Sequence, residues 1–310
     1  MTQINAVADA GVEAATDPSP SPSETRCIAF MNQKGGVGKT TTTVNVAAAL
    51  ADRGDRVLLV DLDPQAHLTL HLGAAKDTPQ PSVYHLLTDD STTFDQVVQP
   101  CGDRMGLLPA EVNLAGVEAE LAPKMITGNA QRVLRDKCAA WIDGITDTQG
   151  GAKAGAGDAR GYRYVLIDCP PSLGLLTVNA LTLAREVIVP MQAQFLALQG
   201  LSKLLETVGM IRQSFNPDLV VSGVVVCMHE RQTILAAEVL ADLEAFLLAA
   251  RDQDVPWRRA EVLAPPIRRN IKLAECPGFG STIFDYAPQS HGAEDYRQLA
   301  ESIASLVIRH

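Results

Sequence analysis

Apolar residues along this chain fall in short unbroken runs rather than in alternation. Cys27-Ile28-Ala29-Phe30-Met31, Val57-Leu58-Leu59-Val60, Tyr164-Val165-Leu166-Ile167, Val187-Ile188-Val189-Pro190 and Gly223-Val224-Val225-Val226 all have this form. A strand with one wet face alternates polar and apolar positions; a strand covered on both faces does not. The five runs therefore predict buried strands of a parallel sheet. A Gly-rich turn follows the first run, then a helix predicted over about 40–53 and closed by Gly54. Strand, turn, helix and strand in that order predict a doubly wound α/β fold: one mostly parallel sheet with helices on both faces. A short strand is expected near 105–108, within a mostly helical and loop-like stretch over 65–142 that Pro79, Pro81, Pro100 and Pro123 punctuate. A long amphipathic helix is predicted over about 233–250 and a last helix over about 292–308.

Composition marks two stretches outside this pattern. Residues 1–25 are rich in Ala, Ser, Pro and Thr and bury too little apolar surface to offset their ordering entropy, so a disordered tail is expected. Residues 144–161 carry a Gly/Ala-rich segment that predicts a flexible insertion. Residues 26–310 then form one domain. Hydrophobic residues make up 46% and charged residues 20%, as in soluble globular proteins. No run approaches the length of a membrane-spanning helix, and no secretory signal opens the chain, so a cytoplasmic location is expected. The six cysteines are scattered without a C-x-x-C pair and are expected to be reduced core thiols. His67 and His71, four apart, are expected on a polar helix face rather than at a metal. A net charge of −10 excludes a surface coated in basic charge but leaves room for a local basic patch.

The first turn carries the strongest chemistry. Lys34-Gly35-Gly36-Val37-Gly38-Lys39-Thr40 lies between a buried strand and a helix. Glycines let backbone N–H groups close around a triphosphate, and the helix N-terminus adds its positive end. Lys39 would reach the β- and γ-phosphates of ATP, and the Thr40 hydroxyl would bind Mg²⁺. The strict pattern G-x-x-x-x-G-K-[ST] is departed from, because Gln33 stands where its first glycine belongs.

Two more strand ends carry acids. Asp61 and Asp63 follow the second run, and Asp168 follows the third, before Cys169-Pro170-Pro171. Ligands of open α/β sheets bind at the carboxyl edge, so these acids are expected to face the phosphates. Asp168 would hold Mg²⁺ directly or through water. Acids at strand ends also serve as plain helix caps, which is the alternative for Asp61 and Asp63.

The stretch Asn32-Gln33-Lys34-Gly35-Gly36-Val37-Gly38-Lys39-Thr40-Thr41-Thr42 resembles the deviant Walker A motif of the ParA/MinD family. The 61–65 and 164–172 segments resemble that family's two switches, and Arg269-Asn270-Ile271-Lys272-Leu273-Ala274-Glu275-Cys276-Pro277 resembles a hallmark of chromosomal ParA proteins. The similarity extends over about 26–305. It implies a P-loop NTPase-like fold and a slow, Mg²⁺-dependent ATPase. ATP contacts are implied for Lys34, Gly35, Gly36, Val37, Gly38, Lys39, Thr40 and Thr41, with Asn270 and Pro277 near the base and dimer face. It further implies that Asp63 orients the attacking water and that Asp61 lies near the Mg²⁺ shell. Lys34 is expected to cross a homodimer interface to the partner's phosphates, as an arginine finger does. Gln194 and Gln199 stand where many members carry Glu, which bears on interface detail.

Arg258, Arg259, Arg268, Arg269 and Lys272 cluster between 258 and 272 with Glu261 the only acid among them, and Arg231 precedes them. In isolation such a cluster is a solvated charged face. By the resemblance it implies nonspecific contact with double-stranded DNA in the ATP dimer, location on the nucleoid, and a ParB-like activator. Four other readings are weaker. A MinD-like membrane-bound regulator needs a basic amphipathic C-terminal helix, whereas the chain stops directly after its packing helix. A metabolic P-loop enzyme such as an amidoligase is opposed by Lys34 together with the 269–277 segment. An iron–sulfur carrier would want paired cysteines, and a tyrosine kinase a Tyr-rich tail. The cargo is not named by any residue.

Overall fold

The computed structural model describes residues 25–74, 80–142, 161–194, 197–230 and 234–306. The expected tail, apart from Thr25, and nearly all of the expected 144–161 insertion lie outside the described residues. In chain order the strands are β1 Arg26–Phe30, β2 Val57–Asp61, β3 Gln99–Pro100, β4 Met105–Leu108, β5 Tyr164–Asp168, β6 Glu186–Met191, β7 Val220–Val226 and β8 Glu261–Leu263. The helices are α1 Lys39–Asp52, α2 His67–His71, α3 Val83–Thr88, α4 Phe94–Val97, α5 Val117–Ile126, α6 Val133–Ile142, α7 Leu175–Leu183, α8 Ala197–Ser214, α9 Ile234–Ala249, α10 Ile271–Glu275, α11 Ile283–Tyr286 and α12 His291–Ser305.

One eight-stranded sheet has the order β3-β4-β2-β5-β1-β6-β7-β8. Only β3 pairs antiparallel. The predicted mostly parallel, doubly wound α/β sheet is thus the fold observed. Its edges are a two-residue strand containing Pro100 and a three-residue strand, and short or proline-bearing edges resist pairing with another chain.

Alternate residues of the apolar runs point to opposite faces, and each face has its own core. Ile28, Phe30, Leu59, Leu166 and Ile188 pack with Val44, Ala47 and Leu50 of α1 and with Leu299 and Ile303 of α12. Cys27, Ala29, Leu58, Val60, Val165 and Val189 pack with α5, α7, α8 and α9 on the other side. α1 is built of Thr, Ala, Val and Asn, which lets it lie close to the sheet. Its buried polar groups are satisfied: Thr42 Oγ1 meets the Tyr296 hydroxyl at 3.2 Å, and Asn45 Oδ1 accepts from the Ile283 N–H at 2.8 Å.

β6 begins one residue before the predicted run, and that residue is Glu186, which is fully buried. Arg26 donates to it through Nε at 2.8 Å and Nη2 at 2.7 Å, and donates Nη1 to the Ile303 carbonyl at 2.7 Å. The Ser222 hydroxyl donates to Glu186 Oε2 at 2.7 Å. This ion pair ties β1, β6, β7 and α12 together at the amino edge of the sheet. His71 departs from its expected position on a polar face. It is 2% exposed, with Nε2 3.7 Å from Cys276 Sγ in the 276–279 turn, and burial lowers its pKa to about 4.

Candidate nucleotide and metal site

β1 sits between β5 and β6, so the chain leaves β1 at the point where the connections turn in opposite directions. That point is where open α/β sheets form a crevice at their carboxyl edge. The loop leaving β1 enters α1 through Gly36 at φ 71° and Gly38 at φ 97°, both in the left-handed region. Gly38 is also tightly packed: a Cβ there would lie 3.3 Å from Cys227 Sγ. Among the described residues no side chain caps α1, so the first N–H groups of this helix point into the loop without a side-chain acceptor there. The loop is held from β6: Asn32 Nδ2 donates to the Pro190 carbonyl at 2.8 Å, and the Lys34 N–H donates to Asn32 Oδ1 at 2.9 Å. Lys39 is buried, with Nζ 3.5 Å from the Lys34 carbonyl. Lys34 directs its ammonium to Gln194 Oε1 of its own chain.

Strand register brings the acids together. Asp61 at the end of β2 is paired with Asp168 at the end of β5, and Phe30 of β1 flanks Asp168 on the other side. Asp61 and Asp168 are fully buried and Asp63 nearly so. Asp61 Oδ2 accepts from the Thr69 N–H at 2.9 Å and from Thr69 Oγ1 at 2.7 Å, while Oδ1 accepts from the Asp63 N–H at 3.1 Å. Burial nevertheless raises the Asp61 pKa to about 6. Asp168 is pushed up first by burial and then by Asp61, with Thr40 and Lys39 opposing. Thr40 Oγ1 donates to Asp168 Oδ2 at 2.6 Å, whereas Asp168 Oδ1 is buried without a hydrogen-bond partner among the described residues. Asp63 Oδ1 accepts from the Gln65 N–H at 3.0 Å, so it closes a tight turn and leaves α2 uncapped.

A buried carboxylate oxygen with no partner calls for an explanation, and an adjacent hydroxyl on the phosphate loop suggests one. Thr40 and Asp168 fit a divalent cation. Among the described residues no three His, Cys, Asp or Glu side chains converge on a metal position. A cation here would therefore complete its shell from phosphate oxygens and water, which suits Mg²⁺ rather than a fully protein-caged ion.

The other expected residues divide. Asn270 caps α10, its Oδ1 accepting from the Lys272 N–H at 2.9 Å, and Pro277 opens the Cys276–Phe279 turn packed beside α2. The basic cluster is less uniform than its spacing implied. Arg268 is turned inward: its Nη2 lies 2.6 Å from Asp295 Oδ1 and 2.8 Å from Glu294, and Asp295 is buried. Arg269 is exposed and pairs with Glu230 at 2.7 Å; Lys272 pairs with Glu275 at 2.9 Å. Arg258 and Arg259 lie in the turn before β8, and Arg231 lies outside the described residues. Thr69, which holds Asp61, and Gln192, which donates to the Gly36 carbonyl at 3.1 Å, were not marked by any local pattern.

A glycine-rich loop at the switch point of a doubly wound sheet, with a lysine, a hydroxyl and paired acids, defines a P-loop nucleotide-binding site. A family profile described as AAA domain matches residues 25–144 and 156–221. Among curated proteins, the chain is 42% identical to the chromosome-partitioning ATPase Soj of Thermus thermophilus over 91% of this chain and 96% of that one. It is 39% identical to the sporulation initiation inhibitor protein Soj of Bacillus subtilis, over 90% and 98%. Among solved structures, cobyrinic acid a,c-diamide synthase of Mycobacterium smegmatis with bound ATP analog and magnesium superposes with a TM-score of 0.68 at 36% identity, over 90% of this chain and 94% of that one. The chain belongs to the ParA/Soj-type partition ATPases.

Proposed function

We propose that this protein binds ATP with Mg²⁺ at the β1–α1 loop, hydrolyses it slowly, and uses the cycle to position a DNA cargo. The observation that carries the proposal is the partnerless Asp168 oxygen beside Thr40, at the mouth of a loop with two left-handed glycines and a buried lysine. Lys39 neutralises the transferred phosphoryl group, and Thr40 with Asp168 holds the cation. Bound Mg²⁺ supplies charge neutralisation at the phosphates. Asp63 orients the attacking water, Asp61 lies near the Mg²⁺ shell, and the backbone of Gly35, Gly36, Val37, Gly38 and Thr41 cradles the phosphates. Asn270 and Pro277 border the base.

Lys34 leaves Gln194 and reaches the phosphates of a second copy, so ATP joins two subunits. The dimer presents Arg258, Arg259, Arg269, Lys272 and Arg231 to DNA phosphates, without reading sequence. A ParB-like protein on the cargo stimulates hydrolysis and releases the dimer. Sedimentation with ATP, ADP and no nucleotide tests the dimer step. Dimers are expected only with ATP, and are lost in Lys34→Ala while ATP binding persists; dimers that form equally in all three states would overturn it.

The diamide-synthase name of the structural relative favours a second reading, amide ligation. Taking ammonia from glutamine needs a reactive thiolate. Burial pushes Cys101 and Cys138 up to about 12 and Cys227 and Cys276 up to about 11, so these thiols stay protonated. Cys169 is pushed up by burial as well and Cys27 is buried in the core, and the similarity to the Soj proteins over nine-tenths of the chain favours the partition reading.

A further inference from the structure

Gln192 stands just beyond β6 and makes three side-chain contacts. Its amide nitrogen donates to the Gly36 carbonyl at 3.1 Å and to Met228 Sδ at 2.9 Å, and its Oε1 accepts from Gln194 Nε2 at 2.6 Å. Gln194 in turn holds Lys34. One side chain thus touches the phosphate loop, the segment after β7 and the residue that parks Lys34. The first contact has a definite consequence. In a trans peptide the C=O and the following N–H point in opposite directions. Holding the Gly36 carbonyl toward Gln192 turns the Val37 N–H the other way. Gly36 has φ 71°, where the loop has no side chain of its own to fix that peptide.

The second contact leads outward. Met228 is a non-glycine residue at φ 52°, a conformation that persists only where its surroundings enforce it. Met228 begins a short ribbon: the His229 N–H donates to the Ile267 carbonyl at 2.8 Å, and the Arg269 N–H to the His229 carbonyl at 3.3 Å. Glu230 then pairs with Arg269. His229 Nδ1 in this ribbon is buried without a partner among the described residues. A strained methionine and an unsatisfied imidazole mark a segment able to take a second arrangement.

We propose that Gln192 is a positioning residue that sets the Gly36–Val37 peptide of the phosphate loop and, through Met228, couples nucleotide binding to the Glu230–Arg269 ribbon. The inference rests on the nucleotide reading of the loop and does not need the DNA reading. Removing the amide frees the Gly36 peptide and cuts the link at once. Replacing Met228 by leucine removes the sulfur acceptor and cuts that contact while leaving the Gln192–Gly36 hydrogen bond in place.

The test uses the full-length protein, Mg²⁺ and a slowly hydrolysed ATP analogue, with affinity read by calorimetry and amide exchange read at 229–230 and 267–269. Wild type is expected to bind the analogue and to gain protection in the ribbon on binding. Gln192→Ala should weaken binding about five- to tenfold, the effect of one lost hydrogen bond, and lose the gain in protection. Met228→Leu should bind as wild type does and still lose that gain. Gln192→Ala binding with wild-type affinity, or Met228→Leu keeping the full gain, would overturn the inference while leaving the nucleotide reading intact. A wild type that binds no analogue would overturn both. A role confined to packing predicts a lower melting temperature with unchanged affinity and exchange response, which also counts against it.

Discussion

The two ends of the central strands handle buried charge in opposite ways. At the amino edge, Glu186 has an arginine fork, a serine hydroxyl and full burial, and Arg26 Nη1 donates to the Ile303 carbonyl. At the carboxyl edge, about one strand length away, Asp61 and Asp168 are register partners with raised pKa values, and one oxygen has no partner among the described residues. A closed network of the first kind fixes strand placement and asks for nothing more. An open one of the second kind is under electrostatic tension that a cation relieves. Buried carboxylates held without compensation lower stability, and such tension is characteristic of sites that bind or react. The same sheet therefore carries a structural pair at one end and a site at the other.

The contrast is sharpest at Lys39 and Asp168. Lys39→Ala should lower ATP affinity by about a hundredfold or more, because a buried ammonium at the phosphates is removed; calorimetry reads this. Its thermal stability without nucleotide should be near wild type. A large loss of stability with retained ATP binding would make Lys39 a structural residue like Arg26.

Glu186→Ala should do the reverse. It leaves Arg26 buried without its partner, which destabilises by about 3–5 kcal/mol in urea unfolding. Nucleotide affinity of the molecules that remain folded should be unchanged. If affinity falls with stability, the two ends are not independent and the comparison fails.

His71 gives a third contrast, through pH. Its pKa is lowered from 6.5 to about 4, so the folded state holds the neutral ring while the unfolded chain takes up a proton below about 6.5. Stability from this group is present above 6.5 and is lost as pH falls toward 4, by about 3 kcal/mol. His71→Gln should flatten the pH dependence of unfolding by that amount between pH 7 and 4; an unchanged slope would place the histidine elsewhere than against Cys276.

The smallest effect is the most telling about function. Asp168→Asn should stabilise the nucleotide-free protein by about 1 kcal/mol, since it removes a carboxylate that burial and Asp61 disfavour more than Thr40 and Lys39 support it, while ending Mg²⁺-dependent hydrolysis. Destabilisation on that change would mean that Asp168 belongs with Glu186 as a structural acid.

Much of this was legible in the chain. The five apolar runs lie in five of the eight strands, because strands buried on both faces need no knowledge of their neighbours to be read. The positions of the Gly35–Thr40 turn and of the acids Asp61 and Asp168 at the carboxyl edge were legible for a related reason: they follow from strand ends, and strand ends are local. What stayed hidden depends on distant partners. Glu186 reads as a boundary before an apolar run; only Arg26, 160 positions earlier, makes it the first residue of a strand. His71 reads as one of a polar pair until the 276–279 turn closes over it. Gln192 reads as one polar residue among several after an apolar run, since its meaning lies in Gly36 and Met228. The basic cluster was legible as charge, but Asp295 decides that Arg268 faces inward, and that residue sits on the last helix.

ATP is proposed to switch this protein onto DNA. Binding to random-sequence double-stranded DNA, with ATP, with ADP and without nucleotide at two salt concentrations, tests it most directly. Tight, salt-sensitive binding is predicted with ATP alone, weakened by Arg269→Ala and absent in Lys39→Ala. ATP binding with no DNA binding in any state would contradict the claim and leave the exposed arginines a solvated face.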